Sequence, residues 1–433
     1  MAKILRPFFC LRLTYDIKQN RESLVTVQKQ HINEVDYLRV IGLVSIVIIH
    51  SFGFYLAMPV TGPAARIFQE LTVNVLRFGR YVFMFVTGVV LFYGYDGRKI
   101  NITSFYRRRL KNIFIPYAVW TAIYLLIDRW SNIIYWSNAG DFVITWAENI
   151  VSGKAYSHLY YIVVAIQFYL LFPLLLAIFK PRKAGLAAWV VLIGGLAVYS
   201  IYHYVLELHP SLVTAMTGSF GAGIFNWFLQ YKDRLIISYL PCYLLGGLVG
   251  IHMVAWRKWL EKHLALIIAG LILGIGLVTG EYFYLYRHLG ESWGMTVSVF
   301  KPSIYFLSLG VIAVSFKLAQ VLERRKTIRP LISLLAANSL GIYLIHPAVL
   351  YVVHSYLWTY QNLPGTVLVI LDTSFAVAVS CLISYLLARS RYTRFIVGEA
   401  GNISRNLSAA KKAETKPGSA NQKRIPPTGT AAG

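Results

Sequence analysis

The sequence predicts an all-α polytopic membrane protein, a single bundle of about ten transmembrane helices. Three observations carry that expectation. Apolar runs of about 20 residues recur along the chain, the length that spans a bilayer's hydrocarbon core. Only 14% of the 433 residues are charged, and the mean hydropathy is +0.56. Basic residues collect in every second connection between the runs, as the positive-inside rule requires.

The helices are expected at residues 38–56, 79–95, 113–130, 159–179, 185–206, 235–254, 264–285, 300–318, 333–354 and 366–388. Segments 96–112, 180–184, 255–263 and 319–332 hold the cations: Arg107, Arg108, Arg109 and Lys111, then Lys180, Arg182 and Lys183. Arg257, Lys258 and Lys262 follow, then Arg324, Arg325, Lys326 and Arg329, whereas 355–365 has no Lys or Arg. This alternation fits ten helices with both termini in the cytoplasm of a cell membrane. Residues 1–36 read as a cytoplasmic tail, 37–388 as one membrane domain, and 389–433 as a basic, largely disordered cytoplasmic tail. Arg6 and Arg12 break the apolar stretch Pro7 to Leu11, so no cleavable signal is expected.

The same features bound function. A net charge of +24 is met by the topology of the loops and tails, so no nucleic-acid partner is expected. Cys10, Cys242 and Cys381 lack metal or redox spacing, and no metal site is expected. There is no phosphate-cradling glycine loop, G-x-S-x-G elbow or H-E-x-x-H. The absence of a clear internal repeat argues against an inverted-repeat transporter. The 30 Tyr and 10 Trp suit aromatic belts at the two membrane surfaces. Two long outward segments, 131–158 and 207–234, combine aromatic rings with carboxylates, which fits sugar rings as well as interfacial anchoring.

The candidate chemistry centres on Asp36 to Tyr55, DYLRVIGLVSIVIIHSFGFY. Arg39 and His50 are eleven residues apart, three helical turns plus about 20°, so they share a face with a rise of about 16 Å between them. His50 falls deep in the bilayer, where an ionisable group is a functional candidate, although a neighbouring helix could equally satisfy it. The run Arg107, Arg108, Arg109 and Lys111 offers donors to phosphate oxygens, and is also an ordinary inside anchor. His158, with Tyr160 and Tyr161, stands at the outer end of a helix, a common interfacial place. His346–Pro347 fits a structural role as well as a functional one, since the proline frees a backbone carbonyl. Asp372 is the one carboxylate well inside a span and is expected to pair with a neighbouring helix or a wet cavity.

Taken in order, DYLRVIGLVSIVIIH, VFMFVTGVVLF, FYRRRLKNIFIPY, QFYLLFP and IYLIHP resemble the recurring segments of the acyltransferase 3 family. These are integral-membrane O-acyltransferases of envelope and extracellular polysaccharides. Thr87–Gly88 stands in the family's Ser–Gly place. Lys111 replaces the second arginine of an Arg pair, which keeps charge and loses the bidentate fork. Ala165 and Ile166 stand where many members have glutamates. The chain is most similar to the branch associated with poly-N-acetylglucosamine adhesins, some of whose members are described as exporters. The resemblance implies acyl-CoA, in particular acetyl-CoA, as donor substrate, with no permanently bound cofactor. It implies His50 as general base or acyl carrier, Arg39 positioning donor phosphate or a polar network below it, the donor on Arg107, Arg108, Arg109 and Lys111, and a glycan hydroxyl near His158, Tyr160 and Tyr161. The rival expectation is an exporter of a cell-surface polysaccharide, with Arg39 and His50 as polar pore lining.

Overall fold

A computed structural model describes residues 30–56, 62–130, 136, 138–179, 184–290, 298, 300–325, 327–357 and 365–398. The terminal tails at 1–29 and 399–433, and the loop cations Lys180, Arg182, Lys183 and Lys326, lie outside the described residues. Within them the chain is helical, with no strand. In order, α1 is Asn33–Leu56, α2 Pro63–Leu76, α3 Phe78–Tyr95 and α4 Ile102–Arg109, which runs through a π-helical turn into α5, Ile115–Trp130. Then come α6 (Ala139–Ser152), α7 (Tyr160–Ile178), α8 (Ala184–Ser200), α9 (Pro210–Tyr231), α10 (Leu240–Ile251) and α11 (Met253–Lys262). The chain closes with α12 (Leu264–Arg287), α13 (Pro302–Glu323), α14 (Arg329–Ala337), α15 (Ser339–Leu357) and α16 (Gly365–Arg389).

Among the described residues, eight helical stretches are long and apolar enough to cross a membrane, and ten are if α10–α11 and α14–α15 each count as one broken span. These ten coincide in order with the ten expected. The differences lie at bends and in connections. The expected helix at 235–254 is instead α10, and the chain turns by 97° into α11, within a segment read as a basic loop. The α14–α15 pair bends by 75°. The second span is longer than expected, Pro63–Tyr95, because α2 and α3 continue each other. Segment 207–234, expected to be a connection, folds mostly as α9, with Gly218 at φ +65° breaking its helical run.

Glycines set the closest helix contacts. On α3, a Cβ at Gly88 would lie 2.1 Å from the Tyr243 carbonyl oxygen of α10, and one at Gly246 would lie 2.0 Å from the Phe85 oxygen. Small residues let backbones approach in this way, and van der Waals packing then holds the pair. α1 and α3 also touch closely, at Gly79 against Ser45 and Gly42, with the Phe83 ring over Gly42. Polar links tie the rest to α1. Arg257 of α11 donates two hydrogen bonds to Glu34 (2.7 and 2.8 Å). At the other end Ser51 meets Thr373 (3.1 Å) and the Tyr55 hydroxyl donates to Asp372 (2.6 Å), so Asp372 does pair with a neighbouring helix. Such bonds answer the cost of polar groups in an apolar bundle.

The turn before α7 matters most for the site. α6 starts where the Asp141 N–H donates to the Asn138 side chain (3.0 Å) and stops at Gly153, in the left-handed region at φ +65°. There a Cβ would come within 2.5 Å of the Tyr160 Cα. This tight return carries His158 and Tyr160 into the bundle and leaves Ser157 exposed at its edge.

Candidate active site

Two cavities lie along α1, one at the Arg39 end and one at the His50 end. The first is about 350 Å³. Its polar lining comprises Arg39 of α1, Thr87 of α3, Arg109, Asn112, Tyr169 of α7 and Ser339 of α15. Arg39 also sits 3.8 Å from Asp36, one turn back. The Arg109 guanidinium stands over the Tyr169 ring at 4.7 Å and the Phe105 ring at 5.4 Å. These cation–π contacts fix its direction without neutralising its charge. Of the four cations in the basic run, only Arg109 lines the cavity. Arg107, Arg108 and Lys111 are exposed, with Arg108 donating to the Tyr95 hydroxyl (3.3 Å).

The second cavity is about 20 Å³ and is lined by Ile46, Ile49, His50, Arg80, Ser157, His158, Tyr160, Tyr161 and Tyr343. Tyr161 and Tyr343 line both cavities, so their rings form the partition between them. Each is pinned by its hydroxyl. Tyr161 donates to the Arg80 carbonyl (3.4 Å), and Tyr343 to the His158 carbonyl. Arg39 and His50, put on one face by their spacing, thus face two chambers that meet at a pair of tyrosines.

Three imidazoles converge at this end. The His50 ring centroid lies 5.3 Å from that of His346 and 6.2 Å from that of His158, and His158 and His346 are 5.3 Å apart. His346 Nδ1–H donates to the Ile342 carbonyl in its own helix (3.1 Å), which leaves Nε2 as the nitrogen open to a neighbour. Among the described residues no group of three His, Cys, Asp or Glu side chains has the geometry to hold a metal ion.

The structure therefore brings His50, His158, Tyr160 and Tyr161 to one cavity and Arg39 and Arg109 to the other. It also adds residues that sequence reasoning passed over: Arg80, Ser157 and Tyr343 at the His50 end, Asn112 and Ser339 at the other. The signal for Arg80 was its place three residues after Arg77, in RFGRYVF. The span was expected to start at 79, which put Arg80 at its end, and no role was assigned to it. In the Pro63–Tyr95 span it is an interior cation.

Comparison with known proteins agrees with this architecture. A Staphylococcus epidermidis protein named as a probable poly-beta-1,6-N-acetyl-D-glucosamine export protein is 23% identical over 376 residues. The match spans 84% of this chain and 94% of that protein. The same-named protein of strain RP62A matches to the same extent. No solved structure matches the chain. The family model described as acyltransferase domain matches residues 32–389, from the start of α1 to the end of α16. The helix bundle that holds both cavities is thus one acyltransferase domain, and the chain belongs to that family of membrane acyltransferases.

Proposed function

We propose that the protein moves an acyl group, most simply acetyl, from cytoplasmic acyl-CoA to a hydroxyl of an extracytoplasmic glycan. The observation that carries this reading is the pair of chambers meeting at Tyr161 and Tyr343. The Arg39 chamber offers two guanidinium groups, Arg39 and Arg109, and the Asn112 amide to a phosphorylated donor, with Arg107, Arg108 and Lys111 outside it for the nucleotide end. The thioester then reaches past the tyrosines to His50. His50 takes the proton of the acceptor hydroxyl, or carries the acyl group briefly itself. The hydroxyl comes from the end where His158, Tyr160 and Tyr161 lie. The name of the related export protein suggests the glycan class, a β-1,6-linked N-acetylglucosamine polymer.

That name also supports a second reading, a passage for the polymer itself. Against it stands the partition at Tyr161 and Tyr343, which a polymer would have to cross ring by ring and a thioester only by its acyl end, into a space of about 20 Å³ that must widen for either.

The donor chamber makes the test. Charge-assisted contacts are worth roughly 1.5–3 kcal/mol each. Arg109→Ala is therefore expected to raise the KM for acyl-CoA at least tenfold, while Arg107→Ala and Lys111→Ala, exposed outside the chamber, change it less. Transfer rates measured against donor concentration in membrane vesicles check this. Equal effects at all three positions would reduce the run to a topological anchor. Orientation is tested separately. Reporter fusions after residue 58 and near 145, 220, 290 and 360 are expected to report outside, and those near 100, 183, 259 and 326 inside. One clear reversal breaks the ten-span topology.

A further inference from the structure

The space at His50 holds one water-sized group, so the side chains around it face a common point. Two of them suit a negative charge there. Arg80 forms no ion pair among the described residues. Its guanidinium lies over the Tyr160 ring at 5.3 Å, and the nearby Asp233 is taken by Arg234 (2.6 Å). His158 is 2% exposed, and among the described residues neither of its ring nitrogens makes a hydrogen bond of normal geometry, the nearby Leu344 carbonyl accepting from the Tyr124 hydroxyl (2.7 Å). In either neutral tautomer one of those nitrogens carries a proton. A buried donor left unpaired is costly, and a charge that appears only during reaction would account for it.

We propose that Arg80 and His158 form an oxyanion hole opposite His50. The assignment rests on the acyl-transfer reading above and names residues that hold its transition state. The acceptor oxygen bonds to the thioester carbonyl carbon, the π pair moves onto the carbonyl oxygen, and the hydroxyl proton passes to His50. The oxyanion lies against Arg80 and the His158 N–H. As the carbonyl re-forms, the C–S bond breaks. Sulfur keeps the bonding pair and takes the proton from His50, leaving an ester, a free thiol and a neutral imidazole. The oxyanion exists only between these steps, so its stabilisation favours the transition state over bound substrate. Both donors are held in place through their backbones, by the hydroxyls of Tyr161 and Tyr343. The groups that thus position the hole also partition the chambers.

The test uses inside-out membrane vesicles that hold the full-length protein and its native glycan, supplied with labelled acetyl-CoA. Removing one oxyanion donor typically costs about 10²–10³-fold in kcat. Arg80→Met is expected to lose that much, with the KM for acetyl-CoA changed less than about threefold, as expected when only transition-state binding is lost. Arg80→Lys, which keeps the charge, should recover at least about tenfold of the loss. His158→Gln, which keeps an N–H, should retain more activity than His158→Phe. An unchanged kcat in Arg80→Met, with a raised KM, would make Arg80 a substrate anchor and overturn the proposal. If Arg80→Met does not accumulate, the His158 pair decides, and wild-type kcat in His158→Phe overturns it. His50→Ala separates the two levels. Activity in His50→Ala, or no label transferred by wild-type vesicles, sinks the underlying reading. An inactive His50→Ala beside a fully active Arg80→Met sinks the oxyanion hole alone.

Discussion

His50→Ala is expected to abolish acyl transfer while leaving the protein folded in the membrane. Its ring lines the smaller chamber, whose wall with the larger one is Tyr161 and Tyr343, with His158 and His346 centroids at 6.2 and 5.3 Å. Loss of a general base costs about 10²–10⁴-fold, and loss of an acyl carrier at least as much. His50→Gln keeps hydrogen-bonding capacity and can neither take the proton nor carry the acyl group in the same way, so it should be equally inactive. Arg39→Lys should be milder than Arg39→Ala if charge suffices in the donor chamber, and as severe if the planar fork is needed. The measurement is the ester content of the glycan divided by the amount exported. An exporter would show graded loss of exported polymer in these variants with no change in that ratio. An unchanged ratio in His50→Ala removes the catalytic assignment.

What could be read from the sequence was what is local. Apolar length and the Arg39–His50 spacing belong to single continuous stretches, and both reappear as spans and as two chambers along α1. The 97° bend between α10 and α11 was not legible, because Trp256, Arg257 and Trp259 read equally as loop residues or as an amphipathic helix. The partner that decides between them is Glu34, 223 positions away, which accepts both Arg257 hydrogen bonds. Helix α9 was missed for a similar reason. Its aromatic residues suggested a surface loop, and only the fold shows that the segment is helical on both sides of Gly218. The basic run was read as one cluster and not resolved into members. A helical turn gives each cation its own direction, so Arg109 alone reaches the chamber while its neighbours are exposed. Arg80 and Tyr343 needed tertiary structure, since a cavity wall is assembled from helices distant in sequence.

Gly88 shows how a short motif can act through packing rather than chemistry. Thr87 of the VTG segment lines the donor chamber, with its hydroxyl donating to the Phe83 carbonyl (2.8 Å). Gly88 instead faces α10, where an added Cβ would sit 2.1 Å from the Tyr243 oxygen and 3.0 Å from the Gly247 nitrogen. Both are backbone atoms, which cannot turn aside as a side chain can. α3 and α10 would have to separate by about 1 Å, and overpacking of this kind costs about 1–3 kcal/mol, more for Val than for Ala. The same shift moves Arg80, Phe83 and Thr87, which line the two chambers. A displacement of about 1 Å can cost about 10²-fold in rate. Gly88→Ala is therefore expected to lower both the melting temperature in detergent and the transfer rate, and Gly88→Val to deplete the folded protein. Gly94, near the end of the same helix, is the matched control, because a Cβ added there would meet no atom within 4 Å. Gly94→Ala should be neutral or stabilising by about 0.5–1 kcal/mol through helix propensity. If Gly88→Ala melts no lower than Gly94→Ala, α3 and α10 are not in the contact that holds both chambers in register.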